Sequence, residues 1–193
     1  MKKIFLLLTL TMTYSMAECQ LDKGVWLVGG SGKFYSYNES NSSSTLGHDA
    51  KYTQIDISPS IGYFVADKLA FGLRPTLSSI KGGYIADGGG ITTNVQRFWV
   101  GPFGRYYFLN TEKQYNIVTD VCYQLGFFGG GLLKGNLSTF SALAGPEIFF
   151  NSSVGIEFLL GYNYRKEDVE DGNKDIKKGF QVAVGFQIHL EKN

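Results

Sequence analysis

Residues 179–190, GFQVAVGFQIHL, alternate without a break. Phe180, Val182, Val184, Phe186, Ile188 and Leu190 share one parity, and Gln181, Ala183, Gly185, Gln187 and His189 share the other. Successive side chains on a strand point to opposite sides, so the run reads as a β-strand with one apolar and one polar face. Which face is the inside decides what kind of protein this is. A soluble barrel turns its large apolar residues inward, whereas a barrel in an outer membrane turns them toward lipid and lines its lumen with small and polar ones.

About eight segments of this kind can be traced, over residues 24–37, 51–65, 69–81, 94–109, 115–128, 137–150, 154–165 and 178–190. Glycine is abundant, at 25 residues, and aromatic residues make up 15% of the chain, against 4 prolines. That balance favours strands and turns over helices. Short turns are expected at Ala66-Asp67-Lys68, 110–114 and 151–153, and longer loops at 38–50, 82–93, 129–136 and 166–177. Short turns on one rim and long loops on the other, with an even strand number, predict an all-β, eight-stranded antiparallel up-and-down transmembrane β-barrel with both termini on the short-turn side.

The two parities can be followed strand by strand. One set, including Ile55, Ile57, Ile61, Phe71, Leu73, Leu77, Val121, Leu125, Phe158 and Leu160, contains no charge. The other is small, glycine-rich and sparsely charged, unlike the Lys- and Glu-dense face that a strand presents to water. It suits the narrow lumen of an eight-stranded barrel. Buried charges must pair there, so Asp56, Asp120, Glu147 and Glu157 are expected to meet Arg74 and Arg105 inside. All four prolines, Pro59, Pro75, Pro102 and Pro146, fall on the outward parity, and each predicts a bulge or a locally open pairing because proline cannot donate to a ladder. The aromatics Tyr63-Phe64, Tyr106-Tyr107-Phe108 and Phe149-Phe150, each before a short turn, are expected to form a girdle at the membrane interface.

The N-terminus reads as a secretory signal over residues 1–19: Lys2 and Lys3, an apolar run Ile4–Leu10, and small residues Ser15 and Ala17, with cleavage between Ala17 and Cys19. Residues 20–193 then form one barrel domain. No segment approaches the roughly 20 apolar residues of a spanning helix, so any crossing is made by strands. With Cys19 beside the cleavage site and Cys122 in mid-strand, a disulfide framework is not expected. Cys19 is a poor lipidation site because Glu18 stands where a small residue is needed. A net charge of +1 gives no sign of a nucleic-acid partner.

The stretches GVWLVGGSGKF, SPSIGYFVADKLAFGL, VGPFGRYYF and GFQVAVGFQIHL resemble the small eight-stranded outer-membrane proteins of Gram-negative bacteria, the OmpX-like and OmpA-like barrels. The resemblance spans the mature chain and implies a monomeric barrel without cofactor. It also implies contact with outer-membrane lipid and lipopolysaccharide, insertion by the barrel-assembly machinery, and a structural or surface-interaction role through the outer loops. Family members usually end on an aromatic residue; here the last strand offers Phe186, Ile188 and Leu190, followed by Glu191-Lys192-Asn193.

No catalytic constellation is legible. Barrel lipid-A deacylases and palmitoyltransferases use a histidine with Ser and an acidic residue, but His48 sits in a loop and His189 at the opposite end of the barrel, neither with a nucleophile in reach. Gly29-Gly30-Ser31-Gly32-Lys33 lacks the Ser or Thr and the following helix of a phosphate loop. The acidic stretch 167–175 lacks the oxygen spacing of a calcium loop and reads as solvated. Two alternatives stand beside the structural barrel. One is a narrow passive pore; the other is a secreted lipocalin-like binding barrel, which Gly24-Val25-Trp26 resembles.

Overall fold

A computed structural model describes residues 21–40, 49–86, 89–110, 113–130, 133–169 and 174–190; the signal segment lies outside the described residues, as does His48. Eight strands follow one another in chain order: β1 (Trp26–Ser40), β2 (Asp49–Ala66), β3 (Leu69–Ala86), β4 (Gly89–Tyr107), β5 (Tyr115–Gly130), β6 (Leu133–Phe149), β7 (Val154–Val169) and β8 (Lys174–Leu190). Each pairs antiparallel with its neighbour, and β1 pairs with β8 to close the barrel. The chain is therefore an all-β, eight-stranded up-and-down barrel. Trp26 opposite Leu190 puts the first and last described strand ends on the rim that also holds the turns at 67–68, 108–114 and 150–153.

The strands run further than hydrophobic alternation alone indicates, and the four long loops are a correction. Gly82 pairs with Thr93, Tyr84 with Ile91, Gly129 with Lys134 and Lys166 with Ile176. The connection between β3 and β4 shrinks to residues 87–88, and that between β5 and β6 to 131–132. Hairpin arms beyond an apolar belt can be polar on both faces, so the period-2 signal fades while backbone pairing continues.

The inside-out arrangement is explicit. Ile57, Leu73, Leu77, Leu125, Phe158 and Val184 are exposed on the outer surface, while Asp56, Ser58, Thr76, Asp120, Gln124, Ser141, Glu147 and Glu157 are buried within. The aromatic pairs before the turns split between the two sides, which corrects the expected girdle. Tyr106, Phe108 and Phe150 face outward, but Phe64, Tyr107 and Phe149 are buried. Adjacent residues on a strand cannot share a face. The inward three close the barrel mouth together with the N-terminal segment: Leu21 is fully buried, Gly24 N donates to the Phe64 carbonyl, and Lys68 N donates to the Leu21 carbonyl.

Each proline sits at an interruption of a ladder whose register is the same on both sides. The β2–β3 pairing stops at Ile57 opposite Leu77 and resumes at Ile61 opposite Leu73, skipping Pro59 and Pro75. The β4–β5 ladder skips Pro102 between Val100 and Phe103, and the β6–β7 ladder skips Pro146 between Ala144 and Glu147. A missing N–H opens the pairing locally without adding a residue, so these are open pairings and not bulges. The turn at 67–68 does carry an irregularity, at Phe64 to Ala66, with Lys68 at φ 64° in the left-handed region.

Beside Pro102, a Cβ on inward-facing Gly101 would run into the Tyr123 carbonyl and the Gln124 Cα. Backbone cannot yield as a flexible side chain would. Gly101→Ala is expected to cost about 1–3 kcal/mol by overpacking, measured by urea unfolding of the refolded protein. An unchanged midpoint would show that the strands can part there.

Candidate functional site

The lumen is layered, and the layers follow from which strand positions face inward. At the turn rim lies the apolar plug of Leu21, Leu27, Phe64, Tyr107, Val118 and Phe149. His189 packs into it, with ring centroids 5.4 Å from Phe149, 5.7 Å from Phe64 and 5.8 Å from Tyr107.

Directly beyond the plug is a charge cluster centred on Arg105. Its Nη2 lies 2.9 Å from Asp120 Oδ2, its Nη1 lies 2.8 Å from Glu157 Oε2, and Glu147 Oε2 stands 4.0 Å from Nη1. Arg74 grips the same Asp120 with two parallel bonds, Nη1 to Oδ1 and Nη2 to Oδ2, both 2.7 Å. A fork on a carboxylate of this kind is among the strongest side-chain pairings and fixes the planes of both groups. The guanidinium of Arg74 also stacks over Phe103, 4.6 Å from the ring centre. Gln187 Nε2 donates to Glu157 Oε1 at 3.0 Å, and His189 Nε2 lies 3.3 Å from Glu147 Oε1. Two arginines thus face three carboxylates, and the histidine stands against the third.

Five of the six lumenal residues named from sequence, Arg74, Arg105, Asp120, Glu147 and Glu157, meet in this cluster. Asp56 does not. It is buried on the lumenal face, but its Oδ1 accepts from Gln54 Nε2 at 2.8 Å, and its ladder neighbour across the strands is Lys33. It belongs to the layer above, where Gln124 Nε2 donates to the Arg74 carbonyl at 2.7 Å and Thr76 Oγ1 lies 3.0 Å from Ser58 Oγ.

A second group lies further toward the opposite rim and was missed from sequence. Arg97 Nη2 is 3.2 Å from Glu167 Oε2, and Arg165 Nη1 is 3.7 Å from Glu167 Oε1. Arg165 stacks over Trp99 at 5.2 Å and Arg97 over Phe128 at 5.8 Å. Val95, Trp99, Phe128 and Leu137 form an apolar cluster around them, with Val169 against it. Glu167 is therefore a lumenal residue on β7, not part of a solvated acidic loop, while residues 170–173 lie outside the described residues. Parity held the signal for all three: 97 and 105 share a face of β4, and 157, 165 and 167 share a face of β7.

Chemically, this arrangement neutralises charge and rigidifies the barrel. No three His, Cys, Asp or Glu side chains among the described residues are placed to hold a metal ion. Cys122 is a buried lumenal thiol. A scan against protein-family models finds no match for the chain, and a search of curated proteins finds none either.

Proposed function

We propose that the chain is a non-enzymatic outer-membrane barrel that crosses the bilayer with its strands, keeps its lumen closed to steady flow, and presents its paired hairpins to the outside as a structural or interaction surface. The observation that carries this reading is the inversion of polarity. Large apolar side chains cover the outer wall while arginines and carboxylates are buried in the centre. In water such a wall would be an aggregation surface, whereas lipid makes it the stable arrangement. The same inversion weighs against the lipocalin-like alternative, in which the apolar face lines the cavity.

Membrane lipid and lipopolysaccharide are then the surroundings of the outer wall, and the barrel-assembly machinery is the agent of insertion. The hairpins connected at 41–48, 87–88, 131–132 and 170–173 rise on the rim opposite the Trp26 and Leu190 ends of β1 and β8. On this reading they are the extracellular end, and a partner recognised by the protein would bind there.

The pore reading is the one to test. The aromatic plug and the Arg105 cluster stand in series across the lumen, so the wild-type protein is expected to give almost no steady conductance in a planar bilayer. Replacing Arg74 and Arg105 together by alanine removes one of the two barriers and is expected to raise it only when the plug is opened as well, as by Phe64→Ala with Tyr107→Ala. A large, steady wild-type conductance would replace the closed barrel by a pore. In parallel, tags at Ser43 and Gly172 should label on intact cells and a tag at Ser152 should not; the reverse pattern would invert the orientation.

A further inference from the structure

The ladder that closes the barrel is the shortest of the eight. β1 and β8 pair over seven positions, from Trp26 opposite Leu190 to Gly32 opposite Val184. Beyond that point β1 continues to Ser40 against β2, and the Lys174–Ala183 part of β8 continues against β7. The two edges face each other across an unpaired seam. Next to the end of the ladder the outward side chains flanking it are apolar and unusually bare, Phe34 at 69% exposed, Val182 at 65% and Phe180 at 89%, and further along they turn polar at Ser36 and Lys178.

An open sheet edge does not persist against hydrocarbon, because its N–H and C=O groups have no partner there; it is tolerated where it borders a polar cavity. This seam borders one. The lumen holds a cavity of about 340 Å³ whose wall includes Gly30, Ser31 and Lys33 from β1 together with Lys178, Phe180 and Ala183 from β8. Residues from both edges, two of them on the outward face of β8, Lys178 and Phe180, belong to a single cavity, so the space inside the barrel reaches the bilayer side through the seam.

The wall is also electrically unbalanced. Six basic side chains line it against three acidic ones, and two of those acids, Asp120 and Glu157, are already held by Arg74 and Arg105. Of the other four bases Arg165 is held by Glu167 at 3.7 Å, which leaves Asp56 to offset Lys33, Lys177 and Lys178. Lys177 is drawn off by Asp175 at 3.0 Å, while Lys33 has no ion pair with any described residue.

We propose that the β1–β8 seam is a lateral binding site for an anionic amphiphile of the membrane, its phosphate or carboxylate head in the lumenal cavity against Lys33, with Lys178 at the outer mouth of the seam, and its acyl chain in the bilayer against Phe34, Val182 and Phe180. The cavity sits at the small end of ligand pockets, which suits a headgroup with its water and not a whole lipid. The inference rests on the membrane reading above.

Trp99 lines the cavity and Trp26 stands on the outer wall at the turn rim. A Trp26→Phe protein, refolded into phosphatidylcholine vesicles, therefore reports from the cavity alone. Flotation with the vesicles is scored first: protein that fails to float defeats the membrane reading, whereas floating protein that gives no saturable response defeats this inference alone. Dodecyl phosphate is expected to change Trp99 emission saturably, and dodecylphosphocholine is not. Lys33→Gln should raise the half-saturating concentration roughly tenfold, the loss of one charge-assisted hydrogen bond, Lys33→Arg should restore it, and Lys174→Gln should leave it unchanged. An equal response to the zwitterion, or to inorganic phosphate alone, would overturn the proposal.

A closing arm uses the register. Phe34 and Val182 would pair next but one beyond Gly32 and Val184 if the ladder continued. With the native cysteines replaced by serine, Phe34→Cys with Val182→Cys should abolish the dodecyl phosphate response when oxidised and regain it on reduction. A response that survives the formed disulfide, or cross-linking of the seam cysteines between two copies, would assign the seam to something other than lateral entry.

Discussion

Arg105→Ala is expected to destabilise the barrel by about 3–5 kcal/mol, the usual cost of stranding buried charge. Arg105 is 1% exposed and touches three carboxylates, those of Asp120, Glu157 and Glu147. Removing it leaves Asp120 with Arg74, but leaves Glu157 with Gln187 and Glu147 with His189. Arg74→Ala should therefore cost less, because its one acidic partner, Asp120, keeps Arg105, and because Arg74 is partly open to the cavity. Lys174→Ala, at an exposed position, should stay within about 0.5 kcal/mol. The measurement is urea unfolding in lipid vesicles. The ordering Arg105, then Arg74, then Lys174 is the diagnostic result, and an Arg105 variant as mild as Lys174→Ala would mean that water already screens the cluster. Combining Arg105→Ala with Glu157→Gln should recover part of the loss, since residues in one network are not additive.

That cluster also marks what strand parity can and cannot deliver. Once Asp120 and Glu157 are placed on inward faces, eight strands leave so little room that opposite charges must meet, which is why the Arg105 network is legible in the sequence. Asp56 was grouped with it because parity gives the face and not the height along the barrel. Its level, beside Lys33, follows from the stagger between strands, and no single strand encodes that. His189 was set aside because no nucleophile stood near it in sequence; its partners Glu147, Phe64 and Tyr107 come from three other strands.

Other features were hidden for a different reason. The strand segments beyond the apolar belt, such as Gly82–Ala86 against Gly89–Thr93, are held by backbone pairing whose side chains need not alternate. Glu167 fell inside a stretch read as loop for that reason, while Arg165 stood at the last position of the strand read over 154–165. The prolines were the opposite case: the missing N–H predicts an open pairing, and all four occupy one. The seam could not be seen at all, since β1 and β8 each continue as strands beyond Gly32 and Val184, and nothing in either sequence says that they stop pairing with each other.

The face assignment itself makes a second large effect, one whose size separates lipid from water. Leu73 and Val121 are both about half exposed on the outer wall, four and six residues above the turn-rim ends of β3 and β5. If water bathes that wall, an arginine at either position is a surface substitution and should change stability by no more than about 0.5 kcal/mol. If hydrocarbon does, the same arginine sits near the midplane and should cost about 2–4 kcal/mol, falling to about 0–1 kcal/mol near the interface. Ile176 provides the shallow control, because it faces outward on β8 beyond Lys178 and toward the hairpin rim. Leu73→Arg and Val121→Arg should thus shift the urea midpoint in vesicles strongly and Ile176→Arg weakly. Equal, small shifts at all three would place the apolar wall in water, and with it would fall the membrane reading, the lateral site at the seam and the reason for a charged interior. Equal, large shifts would instead carry hydrocarbon up to Ile176, beyond the end of the β1–β8 ladder, and the open edge would then need its polar occupant along its whole length.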